Sequence, residues 1–256
     1  MLFQLQGTDV HLLGSYHFGR GTVSLPPTAA RAIAEAKLIA WESSEAAAGP
    51  AFKAAFRRGA SLAACLDDKL LARVHSVAED VGADVEDVDR ADPWLAALLL
   101  FIPLALNAGY SVEEGVDAAV RKIARDARVK DYFLEMPSDG LDAFARAPLE
   151  EQVAGLRLLV ESPAHQLERI DRIASAWRTA DLAGIESALD QALSEMPVTY
   201  DNLIHGRNLQ WLPKIRVLLA KRKKVVVCVG ALHLVGRFGL PSLLEQDGIK
   251  VTFVPD

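Results

Sequence analysis

Val10-His11-Leu12-Leu13-Gly14-Ser15-Tyr16-His17-Phe18-Gly19 is an apolar run that breaks at a glycine and delivers a histidine three residues later. The pattern returns near the other end as Val225-Val226-Val227-Cys228-Val229-Gly230-Ala231-Leu232-His233-Leu234-Val235-Gly236. Short apolar runs bounded by glycine read as buried strands. If the two strands lie side by side, His17 and His233 are neighbours beyond the carboxyl edge of a sheet. Open α/β sheets bind their ligands at that edge.

The rest of the chain supplies such a sheet. Residues 2 to 14 read as one or two strands with a turn at Gly7-Thr8-Asp9. After a loop, Thr28 is the expected N-cap of an Ala-rich helix to about Lys37, and Leu38 to Glu42 is a short buried strand. Strand, helix and strand in that span form a βαβ unit and predict a mainly parallel sheet. The middle is helical in period: Val116, Ala119, Val120 and Ile123 share one face, as do Leu167, Ile170, Ala174 and Trp177. Strands are expected at Asp84 to Val88 and near 129–136, the second closed by Pro137. Asp201 is expected to cap a helix running to about Lys221, followed by strands at 225–230 and 249–254. The expectation is an α/β fold with a central mixed, mainly parallel sheet drawn from both chain ends. It forms one domain over 1–256, with sheet-forming halves 1–48 and 198–256 and a mostly helical middle, 49–197, that caps the sheet.

Composition narrows the function classes. The 256 residues are 51% hydrophobic and 24% charged, enough for a sizeable core. A net charge of −6 argues against nucleic acid as a partner, because phosphate binding needs a surplus of Lys and Arg. The basic run Lys221-Arg222-Lys223-Lys224 follows a helix end, where the dipole favours cations. Cys65 and Cys228 lack CxxC partners, and Cys228 reads as a buried small hydrophobe. The apolar run Leu95 to Leu106 is shorter than the ~20 residues that a membrane span needs. No basic segment leads into an apolar run and cleavage site, so the expected location is cytoplasmic, or outside if a leader has been removed.

The candidate chemistry gathers at strand ends. Two imidazoles, His17 and His233, and a carboxylate, Glu42, with coordination positions left for water, suit a catalytic divalent metal such as Zn, Mn or Co. Glu42 could instead open the loop Ser43-Ser44-Glu45. Glu135 could be a ligand, a general base or the partner of an arginine. Asn208 falls on the apolar stripe of Ile204, Trp211, Ile215 and Leu219, so its amide needs partners: a loop or a site. Arg207 could pair with Glu135 or stabilise oxyanion charge. His11, His75, His165 and His205 lack the glycine context and read as structural. Neither a phosphate-binding Gly-Lys-Ser/Thr loop nor a Gly-x-Ser-x-Gly elbow occurs.

In order along the chain, Leu12 to Gly19, Glu42, Gly115-Val116-Asp117, Phe133-Leu134-Glu135, Arg207-Asn208-Leu209-Gln210-Trp211 and Val227 to Gly236 resemble the TraB/GumN/Tiki family. That family is similar to a wider erythromycin-esterase and ChaN-like group. Gly206 stands where many members have an acid. The resemblance implies an α/β fold with paired Gly-x-x-His motifs and metalloprotease-like hydrolysis. It makes His17, His233 and Glu42 the metal and catalytic set, with Arg207 and Asn208 supporting.

The expected function is therefore a metal-dependent hydrolase, a metallopeptidase, acting on a peptide or small-molecule substrate with a bound divalent ion (Mn, Co or Zn). Glu42 or Glu135 would handle the proton, and Arg207 or Asn208 the developing charge. Two alternatives stand beside it: a non-catalytic regulatory or ligand-binding protein, and a metal-free esterase using His17 or His233 as base. Oligomeric state, a homodimer included, stays open.

Overall fold

A computed structural model describes residues 1–56, 61–221 and 223–255. Within them one sheet forms from β1 (Leu2–Leu5), β2 (Val10–Ser15), β3 (Leu38–Trp41), β4 (Lys130–Phe133), β5 (Val225–Gly230) and β6 (Val251–Phe253). The spatial order is β4-β3-β5-β2-β1-β6. Strands β2 to β5 run parallel, and β1 is antiparallel to both β2 and β6. The order follows from side chains. β5 is a run of valines and a cysteine buried on both faces, which only a central, covered strand allows. β4, with Lys130 and Asp131 exposed, is an edge strand. The hairpin from β1 to β2 turns through Gly7 at φ 75°, a backbone region that costs glycine little.

Thirteen α-helices are described: α1 (Pro27–Glu35), α2 (Ala48–Phe56), α3 (Asp68–Val81), α4 (Val85–Asp89), α5 (Pro93–Asn107), α6 (Val116–Asp126), α7 (Pro137–Ala145), α8 (Leu149–Glu161), α9 (Pro163–Arg178), α10 (Leu182–Glu195), α11 (Pro197–Tyr200), α12 (Arg207–Ala220) and α13 (Leu240–Gln246). Helices α3, α4, α5 and α8 bury Leu70, Val74, Val88, Leu95, Leu100, Leu156 and Val160 together, a core separate from the one along the sheet. Among the described residues no helix is long and apolar enough to cross a membrane.

Three local expectations are corrected. Asp84 to Val88 is not a strand: Asp84 caps α4 by accepting from the Asp87 amide at 3.0 Å, and Val85 and Val88 sit i, i+3. Thr28 lies inside α1, because Pro27 takes the first helical position and Pro26 the cap. Asp201 opens a π-helical turn, Asp201–Gly206, that carries α11 straight into α12 instead of capping a fresh helix. The strand expected near 129–136 is shorter, although Leu134 and Glu135 continue its ladder by donating to Trp41 O and Glu42 O at 2.9 Å each. Cys228 is buried, as expected. In the basic run Lys224 pairs with Glu35 at 2.7 Å, and Arg222 lies outside the described residues.

Candidate functional site

β2 and β5 are neighbours, with Gly14 opposite Val229 and Ser15 opposite Gly230. The two Gly-x-x-His motifs are thus one residue out of step, and the chain treats them differently. β5 turns at once into a 3-10 turn, Ala231–Leu234, which buries His233 to 3% exposure. The chain after β2 instead leaves on a loop, and the His17 side chain is 66% exposed.

That loop is clamped against the start of α6. Tyr16 O accepts from Val116 N at 2.9 Å, and Gly19 and Ser111 exchange backbone bonds of 3.0 and 2.8 Å. Gly115 permits the approach: a Cβ there would lie 2.8 Å from Tyr16 O and nearer still to His17 O. The same helix start presents Asp117. Its Oδ1 accepts from Ser15 Oγ at 2.8 Å, and its Oδ2 stands 2.8 Å from His17 Nδ1. Oδ2 is buried and has no aligned hydrogen bond, so the contact with His17 is an ion pair. Asp117 pushes His17 up to about 9.

Glu42 follows β3 directly. Its Oε1 accepts from Gly230 N at 2.7 Å and its Oε2 from Arg207 Nη2 at 2.6 Å. Burial opposes its ionisation, but Arg207, His233 and His17 hold the carboxyl well below the usual range. Glu135 accepts from Arg207 Nη2 at 2.7 Å and from Trp211 Nε1 at 2.8 Å. Its side chain is only 3% exposed, and burial raises its carboxyl despite Arg207 and Trp211. Arg207 emerges from the π turn, a distortion frequent at functional sites. It therefore sits between both glutamates, with Nη1 3.4 Å from His233 Nε2.

Asn208 settles the state of His233. Its Nδ2 faces two carbonyls, donating to Phe238 O at 2.8 Å and His233 O at 3.3 Å. Its Oδ1 must therefore be the atom 2.8 Å from His233 Nδ1, so Nδ1 carries the proton and Nε2 a lone pair. Burial first, then Arg207 and His17, bring His233 down to about 3, so the ring is neutral at neutral pH.

Every residue of the expected set thus converges on the carboxyl ends of β2 to β5, each biasing the charge of its neighbours. Ser15, Asp117 and Trp211 join that set only through the fold. Asp117 has a signal, the Gly-x-Asp before a helix, but an acid in a first turn is ordinary dipole complement. The discounted histidines are occupied elsewhere: His75 with Asp89 at 2.7 Å, His205 stacked 3.9 Å from Phe238.

The donor types fit a divalent cation. Both imidazoles have Nδ1 engaged by an oxygen, and three carboxylates against one guanidinium leave a formal −2 when both rings are neutral. Among the described residues, however, no three acid, His or Cys side chains already close on one point; the Arg207 guanidinium lies between Glu42 and His233.

A model of the TraB/PrgY/gumN family matches residues 2–253. Proteins named "Uncharacterized protein YbaP" from Escherichia coli (strain K12) and Shigella flexneri are each 25% identical over 245 residues, covering 92% of this chain and 87% of theirs. No solved structure matches.

Proposed function

The chain belongs to the TraB/PrgY/gumN family, and from that premise we propose that it is a metal-dependent hydrolase acting on peptides. One observation carries the reading. Each histidine has its Nδ1 held by an oxygen, His17 by Asp117 and His233 by Asn208, and a cation at the two Nε2 atoms would take the place of Arg207 Nη1, which stands 3.4 Å from His233 Nε2. Metal-ligating histidines are oriented in this way. His17, His233 and Glu42 would hold the ion, which would supply a water acidic enough to ionise near neutral pH.

The other residues have separable tasks. Asn208, wholly buried, is a positioning residue: it fixes the His233 tautomer and ties the 3-10 turn to Phe238 O. Glu135 is too enclosed to meet substrate and holds Arg207 in place. Arg207 Nη1 stands 3.4 Å from His233 Nε2 and, displaced from it by the ion, would steady an oxyanion beside that ring. A metal-free esterase fits less well. Asp117 holds His17 protonated until a cation displaces that proton, and burial leaves His233 weakly basic, so without an ion neither is poised as general base.

The test is metal content and peptide hydrolysis in protein purified without chelator. One equivalent of Mn, Co or Zn, lost together with hydrolysis in His17→Ala and in His233→Gln, supports the reading. Metal-free protein that still cleaves esters overturns it. Metal-loaded protein inactive on a broad peptide mixture points to a ligand-binding role.

A further inference from the structure

We infer that the cavity beneath the helical cap binds an apolar monocarboxylate of the fatty-acid type, with the carboxylate on Arg172 and the chain against the aromatic wall. Such binding needs neither the ion nor the hydrolytic step. The cavity measures about 350 Å³ and runs from His17 and Leu232, beside His233, into the helices. Trp94, Leu98, Phe101, Phe144 and Ile173 form much of its wall.

Arg172 is the charge in that wall without a counter-charge among the described residues. On the same helix, Asp171 pairs with Arg20 at 2.6 Å, and Glu168, one turn earlier, turns to His165 at 3.7 Å. On α10, Glu195 takes Arg169 at 2.6 Å on one oxygen and Gln191 at 2.8 Å on the other. Gln191 thereby turns its Oε1 to Arg172 Nη1 at 2.9 Å, a neutral acceptor that holds the guanidinium without cancelling its charge. The arginine is exposed, so a ligand can reach it, and its Nε and Nη2 are left over. That edge of a guanidinium takes a carboxylate through two parallel bonds. The remaining charges of the wall are answered: Glu151 accepts from the amides of Val198 and Thr199, and His17 stands against Asp117. One added negative charge balances the cavity, and a second would have no cation to meet.

The rest of the ligand has to be apolar. Gln152 and Tyr200, polar residues of the wall, are engaged: Gln152 Nε2 donates to Ala147 O at 2.8 Å, and the Tyr200 hydroxyl accepts from Arg169 Nη2 at 3.3 Å. Trp94 Nε1 and Gln166 Nε2 lack partners but are buried without accessible surface, so no ligand atom reaches them. A peptide would carry an N–H and a carbonyl into this space at each residue, and each is costly to desolvate unmet. A hydrocarbon chain carries neither, and each methylene it buries tightens binding about 4-fold.

The experiment is calorimetric titration of metal-free protein at neutral pH with octanoate, butyrate, octanamide and N-acetyl-Leu-Phe bearing a free carboxylate. Octanoate should bind about 10-fold or more tightly than butyrate, and about 5-fold or more tightly than octanamide, which keeps the chain and loses the charge. Arg172→Met keeps the stem and removes the guanidinium. It should weaken octanoate about 5-fold to 10-fold and leave both octanamide binding and the melting temperature unchanged. Ala97→Trp, which fills the cavity, should abolish binding of octanoate and octanamide alike. Octanoate binding that is no tighter than that of butyrate, or indifferent to Arg172→Met, overturns the inference. So does the acetylated dipeptide binding as tightly as octanoate with the same dependence on Arg172, which would make the cavity a site for peptide C-termini.

Discussion

Replacing Gly115 by alanine tests how His17 is held. The Gly115 backbone has φ −74°, which any residue adopts, so the substitution adds no dihedral strain. What it adds is a methyl group 2.8 Å from both Tyr16 O and the His17 carbonyl carbon, and closer to His17 O. All three are backbone atoms in a loop pinned at Tyr16 O and Gly19, so none can rotate away as a side chain would. Overpacking of this kind costs about 1–3 kcal/mol. Separating the loop from α6 also loses the Val116 N to Tyr16 O bond, about 1 kcal/mol. The expected loss is about 2–4 kcal/mol, read as a lower urea midpoint with little change in slope. The His17 resonance should then titrate well below the value near 9 that Asp117 imposes. Gly49→Ala is the control: it is helical, with open space around the new methyl, and should be neutral or stabilising by about 0.5–1 kcal/mol. A Gly115→Ala protein as stable as the parent, with an unshifted His17, would refute the clamp.

Arg207→Met should cost about 3–5 kcal/mol, since it leaves two carboxylates uncompensated; Arg207→Met with Glu135→Met should recover a large part, and a chemical-denaturation cycle reads both. Asn208→Leu should cost about 2–3 kcal/mol and reduce metal affinity about 10-fold to 100-fold, measured by competition with a chromogenic chelator, because His233 loses the acceptor that fixes its tautomer. In chelator-treated protein His17 is protonated more readily folded than unfolded. Its contribution is full below the unfolded value of about 6.5 and is lost as pH rises through about 9. Urea midpoints at pH 6 and pH 9.5 should therefore differ more in the parent than in His17→Gln.

The sheet was legible because its strands are short, apolar and glycine-bounded, and because parallel neighbours bring strand ends together. Glu42 and Glu135 stood out as carboxylates closing apolar runs, and Asn208 as an amide on an apolar stripe. The missing parts depend on contacts between distant segments. Asp117 owes its place to a backbone approach between residues 16–19 and 111–116, which periodicity cannot register. Trp211 reads as one more core aromatic until its indole is found 2.8 Å from Glu135. The strand mistakenly expected at 84–88 shows the converse, since the Asp84 cap and the i, i+3 spacing of Val85 and Val88 make it a helical turn.

The repeat of Gly-x-x-His suggests two equivalent ligands, but the folded protein makes them unequal, and stability should report it. His17 is 66% exposed and its partner Asp117 keeps the Ser15 hydroxyl, so His17→Ala opens no void and costs only the pairing of the buried Asp117 Oδ2, about 1–2 kcal/mol. His233 is 3% exposed, lies 4.5 Å from the Trp211 ring and is the donor to Asn208 Oδ1. Truncating it to alanine strands a buried amide oxygen, about 1–3 kcal/mol, and opens a void beside the indole, so the total should reach about 3–4 kcal/mol. Metal loss in His17→Ala can therefore be read directly as loss of a ligand, whereas His233→Ala confounds ligand and fold, and His233→Gln is the cleaner comparison. Equal destabilisation by the two alanine substitutions would mean that the loop after β2 is as firmly buried as the turn after β5, and the asymmetry argued from the one-residue register offset would be wrong.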